Sequence, residues 1–166
     1  MSTIATQESP VETTRSSALR LGTWLMTLGA AAFVGYAVIF LVVNFTDSFL
    51  ELGIGRGQVS VGKAQIQEFS PSLYDYISHL HIAVSGFIAA TGLAVMFLSW
   101  FGVRRGQMWA WVGAVAAPVL GLAVALPAHY PYGFATIGHL GLIYLATAIF
   151  VVGALLALAA MRQARS

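Results

Sequence analysis

A chain of 166 residues with eight cationic and six acidic side chains, 8% charged in all against 58% apolar, has too little polar surface to clothe a water-soluble domain. A mean hydropathy of +0.82 agrees, and the absence of cysteine excludes both a disulfide scaffold and thiol-based metal or redox chemistry. The net charge of +2 is small and reflects membrane orientation rather than nucleic-acid binding.

Residues 1–18, rich in Ser, Thr and Glu, read as a disordered tail, with the membrane domain occupying 19–166. Uncharged apolar stretches long enough to cross a hydrocarbon core then occur at about 21–45, 80–101, 108–127 and 137–160. They predict an all-α integral membrane protein, an antiparallel four-helix transmembrane bundle with an outer segment between helices 1 and 2. Arg15 and Arg20 before Ala30, Ala31 and Ala32 resemble a signal peptide, but the apolar run continues through Val43, so the first span reads as an uncleaved anchor. Gly22, Gly29 and Ala32 mark its packing side.

The outer loop, 46–78, is the one region of non-membrane character. Val59, Val61, Ala64 and Ile66 alternate around Gly62 and Lys63, which predicts a small hairpin. Asp47, Glu51 and Glu68 could add ligands to a cofactor on the outer side, but in a solvated loop they read first as solubilising charge. Ser70 before Pro71 is a helix start, so the second helix begins ahead of its apolar run. Ala83, Gly86, Ala90 and Ala94 form a small-residue stripe predicted to face the bundle, and Ala146, Gly153, Ala157 and Ala160 do the same for the fourth span. Pro118 is expected to bend the third. The polar residues within the spans, Thr23, Thr27, Tyr36, Ser85, Thr91, Ser99, Tyr144 and Thr147, suit helix contacts, and no charge lies in any span to relay ions.

Arg15, Arg20, Arg104, Arg105, Arg162 and Arg165, six of the eight cationic residues, fall on one side, which predicts a plasma (inner) membrane protein with both termini cytoplasmic. Tyr74, Tyr76, Tyr130 and Tyr132 are then at headgroup depth on the outer side.

His79, His81, His129 and His139 gather near that outer boundary and are the only constellation suggesting chemistry. On a helix His79 and His81 point about 200° apart. Asp75 and His79 share the small-residue face, whereas His81 lies with Tyr74, Ser85 and Ile88, so His79 is the expected interior ring. His139 shares a face with Thr136, Ala146 and Gly153, which predicts that His79 and His139 meet near the outer mouth with His129 close by. Asp75 is placed to orient His79. Three readings stay open: interfacial polar residues; cofactor ligands, either a b-type haem on His79, His139, His129 or His81 or a divalent metal on His79, His139, His129 and Asp75; and a pH-sensitive or substrate-binding role.

The turn Arg104-Arg105-Gly106-Gln107-Met108-Trp109-Ala110-Trp111 resembles the Arg-Gly-x-x-Trp-Ala-Trp element of uncharacterised small four-span bacterial membrane proteins, which often carry a His near the start of the second helix. The resemblance implies a four-helix membrane architecture and no activity. The leading expectation is a non-catalytic accessory, assembly or partner-binding subunit in the lipid bilayer, joined to other membrane-protein subunits or to itself. The rival is a redox protein holding haem or metal on its outer histidines.

Overall fold

The computed structural model describes residues 10–47, 49 and 51–163, with the side chains of 10–16 left aside. Five helices follow in order: α1 (Pro10–Thr46), α2 (Lys63–Phe69), α3 (Pro71–Phe97), α4 (Met108–His129) and α5 (Ile137–Gln163). All but α2 are long and apolar enough to cross a membrane, and among the described residues there is no strand. The protein is an all-α four-helix bundle whose outward faces, at Phe87, Leu120, Val124 and Leu155 for example, are apolar and exposed.

Part of the predicted tail, residues 1–9, lies outside the described residues; from Pro10 onward the backbone is already helical. The predicted hairpin is instead α2. Four alternating residues are too short a pattern to separate strand from helix, and the helix supplies its own end, since the Gln65 side chain accepts the Gly62 N–H at 3.0 Å. Lys63 then reaches back to α1, donating to the carbonyls of Val43 at 2.7 Å and Asn44 at 2.8 Å. Those carbonyls belong to the last turn of α1, where a cation is favoured. Burial lowers the Lys63 ammonium below its ordinary range, and Asp47 offsets part of that. At the start of α3 the Ser70 hydroxyl accepts the Leu73 N–H, with Pro71 at the first position, as the sequence predicts.

α1 lies along both α5 and α3, and α4 packs beyond α3. The α1 to α5 seam is made by glycine. A methyl added to Gly153 would stand 2.6 Å from the Met26 nitrogen and 2.7 Å from the Gly22 oxygen, and one added to Gly22 would stand 2.6 Å from the Ala157 nitrogen. Backbones that close are possible only without side chains, and in lipid such close approach is the main source of helix association. Gly22, Gly29, Ala146, Gly153, Ala157 and Ala160 are buried as expected; Ala32 is exposed.

The second small-residue stripe faces the other way. Gly86, Ala90 and Ala94 are exposed, and a methyl at Gly86 would meet nothing within 4 Å. The packing face of α3 is Ser85, Gly92 and Val95, continued by Ser99 in the turn that follows. Alanine is at home against lipid as well as against a helix, so a stripe of it is ambiguous; hydroxyls are better hidden from hydrocarbon. Ser78, Ser85, Gly92 and Ser99, spaced by seven, carry the signal.

α3 passes through a π-helical turn, Leu98–Gly102, and a 3-10 turn, Val103–Arg105, and ends at Gly106 with φ 74°. The short connection makes α3 and α4 antiparallel neighbours. Near it Ala110 and Ala114 are fully buried, and the Trp111 indole N–H donates to the Ala154 carbonyl at 2.9 Å, tying α4 to α5. The packed core, including Met26, Val103, Ala110, Ala157 and Met161, occupies this half, the one nearer the termini. Beyond Ala114 no residue of α4 is buried. The opposite half is therefore open inside.

Candidate functional site

Between α1, α3, α4 and α5 in that open half lies a cavity of about 460 Å³, within the range of small-molecule sites. It reaches from Phe150 up to His139, about 16 Å along α5 at the rise of a helix. Most of its wall is apolar, including Phe33, Phe40, Phe87 and Leu122, while Glu51, His129 and His139 close the loop end and Tyr36 stands on α1 below them.

The loop reaches this end through Gly53. Its φ of 72° is in the left-handed region that favours glycine, and a side chain there would overlap the Gly138 carbonyl at the start of α5. That contact sets the Leu52 carbonyl on His139, whose Nδ1–H donates to it at 2.7 Å. Glu51, one residue earlier, then points inward. Its Oε1 lies 3.1 Å from His81 Nε2, and its Oε2 lies 3.4 Å from His139 Nε2. The second approach lacks hydrogen-bond direction, and His139 Nε2 is buried with no hydrogen-bond partner. His81 is held from behind by the Ile77 carbonyl at 3.1 Å and stacks on Phe40, ring centres 5.0 Å apart. His129 donates Nδ1–H to the Ala125 carbonyl at 2.8 Å and sets its ring 5.0 Å from that of His139.

Burial by itself raises the Glu51 carboxyl. The hydrogen bond from His81 and the fields of His81, His139 and His129 outweigh it and hold the group below the ordinary carboxylate range. Glu51 is an ionised anchor, and each of the three rings has one nitrogen committed to a backbone carbonyl.

The structure thus brings together His81, His129 and His139. It leaves His79 and Asp75 on the exposed outer face of α3. The interior ring is therefore His81 and not the expected His79, because α3 turns its serine face inward. Neither the set His79, His139, His129 and Asp75 nor any other group of three His, Asp or Glu among the described residues is arranged to hold a metal ion. A porphyrin iron ligated by two imidazoles holds their nitrogens about 4 Å apart, each about 2 Å from the metal, with ring centres farther still. The 5.0 Å between the His129 and His139 centres is too little for a macrocycle between them.

Sequence reasoning ranks Glu51 too low and misses Asn44. Glu51 lies in a loop whose charges look solvated, and only the Gly53 to Gly138 contact turns it inward. Asn44 is fully buried and donates to the Ser78 hydroxyl at 2.9 Å, joining α1 to α3 beneath the loop. Its signal was present, a carboxamide within an apolar span. Compared with protein-family models, with curated proteins and with solved structures, the chain matches none of them.

Proposed function

We propose that the protein binds a lipid-soluble amphiphile, its apolar body in the cavity and its polar head at Glu51, His129 and His139. The observation that carries this reading is a cavity of about 460 Å³ with apolar walls and one polar end, where Glu51, His129 and His139 gather. A well-packed bundle of this size leaves few voids larger than a water molecule. Here one half is closed around a core and the other is held open, with the loop strapped across its mouth. The reading gives the non-catalytic role expected from the sequence a definite task. The arginine asymmetry supports an orientation with the termini in the cytoplasm and the polar end at the outer face of a plasma membrane, and in that orientation the ligand enters laterally from the outer leaflet.

Gly121 lines the cavity, and a methyl there would meet nothing within 4 Å. Gly121→Phe should fill the space without moving the backbone. Solvent extraction and mass spectrometry of protein purified in mild detergent should find about one lipophilic molecule per chain in the unaltered protein and much less in the variant, with thermal stability equal or higher. Equal recovery from both, with both folded, would refute the reading.

A further inference from the structure

The loop closes the end of the cavity but not its side. The wall residues contributed by α1 and α5, from Ala30 and Phe33 to His139 and Phe150, are all buried or half-buried. The wall residues that are exposed are Val84, Phe87 and Thr91 of α3 and Ala117, Gly121 and Ala125 of α4. All six stand on helices that cross the membrane, so the gap between α3 and α4 gives onto hydrocarbon and not onto water.

The way α4 is held explains the gap. Near the termini it is fixed by the buried Ala110 and Ala114 and by the bond from Trp111 to the Ala154 carbonyl. At the outer end the Tyr130 hydroxyl lies 3.2 Å from the Tyr144 hydroxyl, and the His129 ring packs on that of His139. Both outer ties run to α5. Among the described residues no hydrogen bond joins the outer half of α4 to α3. Tight packing of α4 stops at Ala114, and Pro118 follows one turn later. Proline has no N–H, so the Ala114 carbonyl lacks its helical partner where the packing ends, and a helix bends most readily at such a turn. The edge that α4 turns to the gap, Ala117, Gly121 and Ala125, carries nothing larger than a methyl.

We infer that the gap between α3 and α4 is the ligand's lateral gate, and that the outer half of α4 opens and closes it by swinging about Pro118. This rests on the cavity being a ligand site, as proposed above. The occupant is drawn from the bilayer itself: it slides in sideways, with its head level with Glu51 and His129 and its body along the helices. A gate of this kind sets the rate of exchange and leaves affinity to the wall.

The chain has no cysteine, so Val84→Cys with Ala125→Cys, at similar depth on the antiparallel α3 and α4, can be joined uniquely by a short bis-methanethiosulfonate. Dissociation of N-phenyl-1-naphthylamine, a neutral lipophilic fluorophore, is followed by stopped flow on the full chain in detergent, with Gly121→Phe as the baseline for partition into micelles. The link should slow dissociation about tenfold or more, and reduction should restore the rate in the same sample, which controls for folding. A link between Tyr130→Cys and Tyr144→Cys, on the edge between α4 and α5, should change the rate by less than about twofold. Pro118→Ala should slow binding and release together and keep the affinity. Equal rates in the linked and reduced protein overturn the gate while leaving the cavity reading intact. Slowing by the link between α4 and α5 alone moves entry to that edge and overturns it as well. Exchange as fast in Pro118→Ala as in the unaltered protein overturns the hinge. Binding of the fluorophore no higher than the Gly121→Phe baseline overturns the cavity reading itself.

Discussion

Gly153→Leu is expected to part α1 from α5 and to produce the largest loss of stability of any single change in the bundle. Even the first carbon of the new side chain would fall 2.6 Å from the Met26 nitrogen and 2.7 Å from the Gly22 oxygen. Both are backbone atoms, which no change of rotamer can move aside. Overpacking of a core typically costs about 1–3 kcal/mol, and this position belongs at or above the upper end because the whole seam must shift. The same substitution at Gly86 is the matched control, since that position is exposed with nothing within 4 Å, and surface changes of this kind stay within about 0.5 kcal/mol. Titration of the purified chain from mild detergent into sodium dodecyl sulfate, followed by circular dichroism, measures both. Similar midpoints for Gly153→Leu and Gly86→Leu would show that the glycine seam does not hold α1 to α5.

The second large effect belongs to Glu51. Glu51→Ala removes the group that His81 Nε2 contacts at 3.1 Å and leaves the strap across the cavity mouth held by the Leu52 carbonyl and Gly53 alone. A hydrogen bond to a charged group contributes about 1.5–3 kcal/mol. The opening free energy of residues 51–55, read by hydrogen exchange, should fall by that order, and Glu51→Gln, which keeps an acceptor of the same size, should lose less. The pH dependence has a definite sign. Because the folded carboxyl is below its ordinary value of 4.5, its contribution is complete above that value and is lost as pH falls through the lower, folded one. Loop protection in the unaltered protein should therefore decline in acid, whereas Glu51→Ala should lack that decline. Unchanged protection of these residues in Glu51→Ala at neutral pH would sink the strap.

The two effects differ in how far the chain announces them. Gly22, Gly29 and Gly153 stand out as small residues in long apolar spans, and their pairing could be anticipated because close approach demands glycine on both sides. The stripe of Ala83, Gly86, Ala90 and Ala94 looked equivalent, yet Gly86, Ala90 and Ala94 turned outward. Alanine lowers no barrier to facing lipid, so the stripe holds less information than the heptad of Ser78, Ser85, Gly92 and Ser99, whose hydroxyls are costly to leave in hydrocarbon. Choosing the alanine face put His79 inside and His81 outside. Two residues on a helix are about 200° apart, and a wrong face exchanges such a pair completely.

Composition and the placement of charge determined the membrane class, the number of membrane-crossing helices and the gathering of histidines at one end. These follow from the cost of burying charge and from the length of a helix that crosses a bilayer, both of which act on local stretches of chain. What the tertiary structure alone decided is the site. It required α3 to present its serine face, α4 to pack tightly near Ala110 and Ala114 but not beyond, and Gly53 to seat against Gly138 so that Glu51 turned from a solvated loop toward His81 and His139. Each of these is a contact between segments distant in sequence, with an energy that depends on the fit of both surfaces. No local pattern of residues encodes such a fit.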